Sequence, residues 1–378
     1  MRIALFSDTF FPQVNGVALT LKRLVDYLHG HGISLKVFVP GPGEDSTPGH
    51  IHCVPSMPLV FYPECRMALP RYFFIRNQLH RFQPDVIHIA TPFNLGLCGH
   101  YYGKKYGVPL VASYHTHFDR YLQYYGASFA IPVFWRYIQW FHKSCQMTLV
   151  PSQETQNHLF QQGISHVELW KRGIDCQQFT PEKATSSLRT QYGIGDQFVI
   201  LYAGRIAPEK DLDILLEIMD AMPPHLSEKL HWIICGEGPY LEEMRKKATK
   251  NVTFTGFLPQ EQLSILYASA DLFFFPSSTE TFGNVALEAM ASGLPVIGAD
   301  AGGVKEIIKH GDTGFLCTPR HVPSFMNALE ELISNSSLIE IMGKKARDYA
   351  LTQSWESIFD GLLTQYEQLF FEKYRKLG

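Results

Sequence analysis

One stretch of the sequence contains a complete strand–helix–strand unit. Residues 272–298 read LFFFPSSTETFGNVALEAMASGLPVIG. The apolar runs Leu272–Phe275 and Pro295–Gly298 have the length and composition of strands buried on both faces of a parallel sheet. Between them, Val285–Ala291 has the amphipathic pattern of a helix. Strands joined in this way by helices are the repeating unit of doubly wound α/β proteins.

The same alternation recurs along the chain. Short apolar runs predict further strands at Ile3–Phe6, Leu35–Val39, Val86–Ala90, Leu110–Ser113, Thr148–Val150, Phe198–Tyr202, Trp232–Cys235 and Val252–Thr255. A chain of 378 residues is too long for one ordinary core. We therefore predict two doubly wound α/β domains facing a central cleft, with the ligand at the carboxyl ends of the strands.

Composition and charge exclude several classes of protein. Apolar residues make up 46% of the chain and charged residues 18%, which is typical of a folded globular protein. The net charge of −3 excludes a generally basic nucleic-acid binder. Residues 1–180 nevertheless carry +5 (15 Lys and Arg, 10 Asp and Glu) and residues 181–378 carry −8 (18 and 26). The two halves thus predict different surfaces and different partners.

Cysteine usage and hydropathy indicate the cellular compartment in which the protein works. The seven cysteines are scattered without CxxC spacing, which favours buried reduced thiols over disulfides or zinc ligands. The N-terminus begins with a strand-like run instead of a signal peptide, and there is no apolar run of 18 residues. We therefore expect a cytoplasmic protein.

The most specific pattern is a pair of glutamates, Glu280 and Glu288, with seven residues between them. Glu280 lies in the loop after Leu272–Phe275, and Glu288 lies in the following helix. Backbone N–H groups at a helix N-terminus bind sugar hydroxyls or phosphate, and a carboxylate inside the helix can accept hydrogen bonds from a ribose diol. The alternative is structural, with Glu280 as a helix cap and Glu288 exposed to solvent.

Two cations follow the strand Phe198–Tyr202, in Gly204-Arg205-Ile206-Ala207-Pro208-Glu209-Lys210-Asp211. Arg205 offers a bidentate fork and Lys210 a point charge, which together suit a diphosphate. The alternative is a solvated loop in which Lys210 pairs with Glu209 or Asp211. Further along, Gly236-Glu237-Gly238 after Trp232–Cys235 permits close approach of a ligand, or forms a tight turn.

Two loops of the first half also follow strands. Asn15-Gly16 opens a helix after Ile3–Phe6, where Gly16 would let backbone N–H groups approach an anion; the alternative is a simple turn. His115-Thr116-His117 follows Leu110–Ser113. We interpret His115 as a hydrogen-bonding or proton-transfer group, with a zinc ligand or a structural histidine as alternatives.

Taken together and in this order, these strings resemble the family-4 glycosyltransferases of the GT-B fold. The elements that carry the resemblance run from residue 1 to about 300: Glu280-x7-Glu288 with Phe282-Gly283, Gly293-x-Pro295-Val296, Gly204-Arg205 with Glu209-Lys210, and Arg172-Gly173-Ile174-Asp175 with Phe179 and Pro181. The resemblance implies two Rossmann-like domains: an acceptor-binding domain at 1–180, a nucleotide-sugar-binding domain at 181–356, and a helix at 357–378 that packs back on the first domain.

The resemblance also implies an activity, namely retaining transfer of a glucose- or mannose-type hexose from a UDP- or GDP-sugar, without cofactor or metal. Arg205 and Lys210 would hold the diphosphate, and His115 would lie beside the reacting centre. Further donor contacts would come from Asn15, Gly16, Gly236, Phe257, Leu258, Glu280, Thr281, Phe282, Gly283, Asn284 and Glu288. Asp211-Leu212-Asp213 fits the DxD pattern of metal-dependent transferases, but we interpret it as acidic charge at the start of a helix.

The loops Asp8–Val17 and Ser113–Thr116 are most similar to those of the glycolipid subgroup, such as phosphatidylinositol mannosyltransferases and diacylglycerol glycosyltransferases. Aromatic and basic residues in segments 59–82 and 118–141 could contact an anionic membrane surface, although aromatic residues at helical spacing usually form core. We expect a nucleotide sugar and a lipid or glycan acceptor as partners, at the inner face of the cell membrane, and no nucleic acid.

Other classes fit the sequence less well. An NAD-dependent oxidoreductase needs GxGxxG after the first strand, and Ser7–Gly16 does not provide it. A transferase acting on a soluble or polysaccharide acceptor remains an alternative. Three further alternatives are a GT-B-like epimerase, a phosphorylase with a Schiff-base lysine and a non-catalytic sugar-nucleotide binder.

Overall fold

The computed structural model describes residues 1–13, 15–41, 49–59, 62–124 and 126–375. The chain divides into two compact units. The first comprises Met1–Asp119, Ser128–Lys171 and Glu356–Gly378, and the second comprises Arg120–Ala127 and Arg172–Trp355. The predicted boundary at 180 therefore differs from the structural one, which follows Lys171, because the Arg172–Asp175 segment packs within the second unit. There Ile174 pairs with Ser354, and a Cβ at Gly173 would lie 2.6 Å from the backbone nitrogen of Trp355.

The first unit is built on a sheet of eight described strands in the order β4-β3-β2-β1-β5-β6-β7-β8. All neighbours pair in parallel except β3 and β4. The elements of this part of the chain are β1 Arg2–Phe6, α1 Gly16–Gly30, β2 Ser34–Gly41, β3 Ile51–Leu59, β4 Tyr62–Ala68, α2 Tyr72–Phe82, β5 Val86–Ile89, α3 Asn94–Tyr106, β6 Leu110–Ser113, α4 Phe118–Tyr124, a 3-10 turn Ser128–Ala130, α5 Ile131–His142, β7 Met147–Val150, α6 Gln153–Gln161 and β8 Val167–Leu169. Helix α4 begins in the first unit, and its residues from Arg120 onward belong to the second.

The second unit is built on a parallel sheet of six described strands in the order β11-β10-β9-β12-β13-β14. Its elements are 3-10 turns Pro181–Lys183, Pro208–Lys210 and Gly302–Glu306, with α7 Ser187–Gln191, β9 Phe198–Ala203, α8 Leu212–Ala221, α9 Pro224–Ser227, β10 Leu230–Cys235, α10 Leu241–Lys247, β11 Val252–Gly256, α11 Gln260–Ser269, β12 Leu272–Phe275, α12 Asn284–Ala291, β13 Val296–Ala299, β14 Gly314–Cys317, α13 Val322–Ile333 and α14 Ser336–Leu351.

The predicted fold class, two doubly wound α/β domains with parallel sheets, is confirmed. All ten predicted apolar runs lie on strands, and the apolar face predicted for α1 (Leu21, Leu24, Val25 and Leu28) is buried. The sequence missed β3, β4, β8 and β14. Their hydrophobic patterns are weak for physical reasons. β3 contains Pro55 and Pro58, and β8 has only three residues. β4, β8 and β14 are the terminal strands of their sheets.

The last helix, α15 Trp355–Arg375, contributes its residues from Glu356 onward to the first unit. Its buried Tyr366 hydroxyl lies 2.7 Å from Nδ1 of His88 on β5, and His88 Nε2 lies 2.7 Å from the hydroxyl of Ser113 at the end of β6. This chain of buried hydrogen bonds joins the C-terminal helix to two central strands. No helix among the described residues has the length and apolar composition needed to cross a membrane.

Candidate active site

In the second unit, the strand order reverses between β9 and β12. Crevices at such a switch point, outside the carboxyl ends of the strands, are where doubly wound sheets bind ligands. The loop after β9 carries Arg205 and Lys210, and the loop after β12 carries Glu280. The fold therefore brings together two charged loops that are 70 residues apart in sequence.

The two cations of the β9 loop have different partners. Arg205 Nη1 donates to Oε1 of Glu209 at 3.2 Å, and the Glu209 side chain has no solvent exposure. Lys210 forms an ion pair with Glu280 instead of with Glu209 or Asp211, the partners that a plain solvated loop predicts. Both cations of the loop after β9 are therefore held in place by carboxylates.

Lys210 is held protonated by its surroundings. Burial of its ammonium lowers its pKa, but the Glu280 carboxylate and the phenols of Tyr121 and Tyr202 outweigh burial and raise the pKa above its ordinary value. Tyr202 also donates its hydroxyl to the carbonyl of Arg205 at 2.9 Å, which fixes the start of the loop. A permanently charged lysine is the form that binds a diphosphate.

The backbone around Glu280 is held by two glycines that the sequence analysis did not identify. The N–H of Gly303 donates to the carbonyl of Glu280 at 2.7 Å. A Cβ at Gly302 would lie 2.4 Å from that carbonyl oxygen, and a Cβ at Gly303 would lie 2.3 Å from the carbonyl oxygen of Thr281. The Gly302-Gly303 pair in the sequence was the available signal, because such close backbone contact admits only glycine.

The second glutamate of the pair lies on α12, where Glu288 is half-buried and accepts a hydrogen bond from the Tyr267 hydroxyl at 3.2 Å. Gly283, with φ of 96°, precedes the first helical residue, Asn284, whose Oδ1 is buried without a hydrogen-bond partner among the described residues. The structural alternative for this pair is wrong in both parts, since Glu280 does not cap α12 and Glu288 is not an exposed residue.

Asp211 lies at the start of a helix, as predicted, in the N-cap position of α8. Its φ is left-handed at 51°, and its side chain makes no capping bond to the helix. Its buried carboxylate instead accepts hydrogen bonds from the backbone N–H of Ser278 at 2.9 Å, the Ser278 hydroxyl at 2.6 Å, Tyr124 at 2.8 Å and Arg320 at 2.6 Å. Asp213 lies in the first turn of α8, also as predicted, where it pairs with Arg320 at 2.5 Å.

The glycine loop after β10 packs against the β9 loop. A Cβ at Gly236 would lie 1.9 Å from the carbonyl oxygen of Gly204, and one at Gly238 would lie 2.2 Å from that of Ile206. The structure thus supplies a packing reason for both glycines, and a donor contact at Gly236 stays a prediction. After β11, Phe257 is exposed and Leu258 is half-buried, so both are accessible to a base.

The predicted residues of the first unit also follow strands. His115, two residues beyond β6, is half-buried, and its ring lies 5.5 Å from that of Trp170. Asn15 caps α1 by accepting from the Ala18 N–H at 2.9 Å, and its Nδ2 donates to Thr9 at 2.9 Å. Asn15 thus has a structural role that the sequence analysis did not assign, while Gly16 begins the helix and is exposed.

The aromatic segments divide between core and surface. In segment 118–141, Ile138 and Phe141 are core while Trp140 is exposed. In segment 59–82, Phe73 is 71% exposed, and it borders an open cavity of about 430 Å³ between α2 and α3. Arg76 and Lys105 also line this cavity. The predicted contributions of Phe61 and of the Tyr62 and Arg66 side chains lie outside the described residues.

Comparisons with known proteins agree with this architecture. The family model "Glycosyltransferase Family 4" matches residues 14–178, and "Glycosyl transferases group 1" matches residues 185–349. A GDP-mannose-dependent alpha-mannosyltransferase of Mycobacterium tuberculosis is 32% identical over 97% of this chain and 96% of its own length. An alpha-monoglucosyldiacylglycerol synthase of Streptococcus pneumoniae is 30% identical over 79% of this chain and 70% of its own length.

Among solved structures, sucrose-phosphate synthase from Thermosynechococcus elongatus has a TM-score of 0.80 at 20% identity, covering 98% of this chain and 99% of its own. At that identity the likeness concerns the fold alone. The chain belongs to the family-4 glycosyltransferases of the GT-B fold. It is a glycosyltransferase enzyme of the hexosyltransferase type that uses a nucleotide-sugar donor.

Proposed function

We propose that this enzyme transfers a glucose- or mannose-type hexose, with retention of configuration, from a nucleoside diphosphate sugar to a hydroxyl of a membrane glycolipid precursor. The observation that carries the proposal is the meeting of the Arg205–Lys210 loop and the Glu280 loop at the switch point of the second unit, with Glu288 on the next helix.

Charged side chains and backbone groups together bind the nucleotide-sugar donor. Arg205 and Lys210 neutralise the diphosphate and the charge that develops on it as the sugar departs, so the reaction needs no metal ion. The Lys210 ammonium exchanges part of its ion pair with Glu280 for the phosphate, which frees the carboxylate for a sugar hydroxyl. Glu288, oriented by Tyr267, accepts from the ribose diol, and the backbone of Thr281–Asn284 holds the sugar.

The chemical step is a substitution at the anomeric carbon. The bond from that carbon to the acceptor oxygen forms on the face from which the diphosphate oxygen leaves. The acceptor's proton passes to the donor phosphate, so no carboxylate nucleophile is required. His115 contributes a hydrogen bond to the sugar beside the reacting centre.

A lipid acceptor is supported by two independent observations. The pneumococcal relative is named for its product, monoglucosyldiacylglycerol. Arg76 and Lys105 lie over the exposed aromatic rings of Phe73 and Tyr101, at 5.3 and 5.8 Å. Such a mixed aromatic and basic surface suits the headgroup region of an anionic membrane, and we propose that the enzyme works at the inner face of the cell membrane.

The test is a thermal-shift panel of UDP- and GDP-sugars with the full chain, followed by transfer assays on diacylglycerol and phosphatidylinositol in the presence of EDTA. We expect one base to stabilise the protein, and a lipid product with the anomeric configuration of the donor. Transfer only to soluble or polysaccharide acceptors would contradict the acceptor proposal. Inversion, or loss of activity in EDTA, would contradict the mechanism.

A further inference from the structure

We propose that His117, Asp119 and His158 of the first unit form a binding site for a zinc ion, with three protein ligands and a water. None of the three belongs to the donor site described above. His117 lies in the loop after β6, Asp119 in the first turn of α4 and His158 on α6. The reaction proposed above needs no metal, and this ion would instead fasten the loop that carries His115 to α6.

The candidate ligand atoms lie close to one another. His158 Nε2 lies 3.0 Å from Asp119 Oδ2, and His117 Nδ1 lies 4.0 Å from Asp119 Oδ1. One candidate ligand atom from each residue falls within 4.8 Å of the other two. Zinc bound to nitrogen or oxygen at about 2.0–2.2 Å in a tetrahedron separates its ligand atoms by about 3.4 Å, so small side-chain rotations suffice.

The site is largely buried. His117 is 1% and Asp119 7% exposed, while the His158 side chain is 21% exposed. Water screens the attraction between a divalent ion and the Asp119 carboxylate only weakly in such a place. The partial exposure of His158 leaves a route for the ion and room for water as a fourth ligand.

His117 has an outer contact of the kind that orients a zinc-bound histidine. Its Nε2 lies 3.3 Å from the hydroxyl of Thr155, and in the tautomer that donates from Nε2, the Nδ1 lone pair is available to a metal ion. Thr155 is itself fixed, because its backbone N–H donates to the Ser152 hydroxyl at 3.3 Å in the cap of α6. The Trp135 ring packs 5.2 Å from that of His158 and restrains it.

The ligand set indicates zinc in preference to magnesium or calcium. Two imidazoles and one carboxylate suit zinc, whereas magnesium and calcium take oxygen ligands almost entirely. These three ligands differ from the His115-x-His117 pair that the sequence analysis considered for zinc. His115, which shares the His-x-His spacing with His117, is not a member of this cluster.

The test uses the full chain, stripped with a chelator and titrated with Co²⁺ as a spectroscopic substitute and with Zn²⁺ by calorimetry. We expect one equivalent to bind with the visible absorption of four-coordinate cobalt. His158→Gln should weaken binding at least tenfold, and the near-isosteric Thr155→Val should weaken it about 10–100-fold through the outer contact. The exposed His166→Gln, a matched control in the same unit, should change nothing.

Circular dichroism and a thermal melt establish that each variant is folded. Absence of the cobalt spectrum in the wild-type chain would overturn the proposal and leave Asp119–His158 as a metal-free hydrogen bond. Equal zinc affinity in the wild type, His158→Gln and Thr155→Val would also overturn it. Donor binding is measured in parallel, so failure of the zinc site is distinguishable from failure of the proposed function.

Discussion

Asp211 accepts two hydrogen bonds from Ser278, one from its backbone N–H at 2.9 Å and one from its hydroxyl at 2.6 Å. Asp211 immediately follows Lys210, and Ser278 lies two residues before Glu280. The buried aspartate therefore ties the cation loop after β9 to the glutamate loop after β12, and it positions both members of the Lys210–Glu280 ion pair.

Replacing Asp211 with Asn should loosen both loops. Loss of hydrogen bonds to a buried charged acceptor costs about 1–3 kcal/mol, and we expect this in stability and in donor affinity alike. Thermal melting and calorimetry with the cognate nucleotide measure the two effects. Asp213→Asn is the matched control, because Asp213 shares Arg320 with Asp211 but has no described bond to Ser278. Equal effects of the two substitutions would contradict the positioning role.

Lys210→Ala and Glu288→Ala should each weaken donor binding by about 1–3 kcal/mol, since each removes a hydrogen bond to a charged or polar donor group. Titration calorimetry with the nucleotide sugar measures this directly. Lys247→Ala serves as a control, because Lys247 is an exposed lysine of the same unit that pairs only with Glu243 among its described ion pairs. Unchanged donor affinity in both site variants would refute the site assignment.

The double substitution Arg76→Ala, Lys105→Ala should reduce binding to anionic vesicles. Each basic side chain near such a surface contributes about 1 kcal/mol, so the pair corresponds to about a 30-fold loss at low salt. Co-sedimentation with phosphatidylglycerol vesicles measures the binding. Removing Arg245 and Lys246, two exposed cations on α10 of the second unit, changes the net charge equally and should have little effect. No binding by the wild type at low salt would count against membrane contact.

Tyr366→Phe should destabilise the first unit. Burial raises the pKa of Tyr366 well above its ordinary range, so the hydroxyl stays protonated and shares a buried hydrogen bond of 2.7 Å with His88 Nδ1. Loss of a buried hydrogen bond costs about 1–3 kcal/mol, measurable by urea unfolding. Tyr27→Phe removes another hydrogen bond to α15, from Tyr27 to Asp360 in an exposed setting, and should cost less. A larger loss of stability in Tyr27→Phe than in Tyr366→Phe would show that the buried hydrogen bonds of Tyr366 and His88 do not stabilise the unit.

Stability of the first unit should fall as the pH drops below about 6.5. Burial lowers the pKa of His100 to about 4 and that of His142 to about 3, so both are neutral in the folded state. The unfolded chain binds their protons near pH 6.5, and stability present above that pH is lost as the pH falls toward the folded values. Melting temperature against pH should flatten in His100→Gln and in His142→Gln, but not in the exposed His166→Gln.

Much of the fold was predictable because it depends on local pattern. Apolar runs of three to five residues such as Leu272–Phe275 mark strands of buried parallel sheets, and each of the ten runs lies on a strand to within one residue. The strands that were missed, such as β3 with its two prolines, lie toward sheet edges where burial imposes a weaker pattern. Arg205, Lys210, Glu280 and Glu288 could be selected as candidate site residues because their spacing relative to strands and helices is local as well.

The sequence by itself determined the two α/β sheets, the family and the loops that bear the charged residues, since these follow from periodicity and short-range spacing. Only the tertiary structure decided which of those charges meet. It paired Lys210 with Glu280 instead of a neighbour in sequence, and it linked Asp211, at the start of α8, to Ser278. It also gathered His117, Asp119 and His158. Such contacts depend on strand order, because a doubly wound sheet places loops from distant parts of the chain side by side at its switch point.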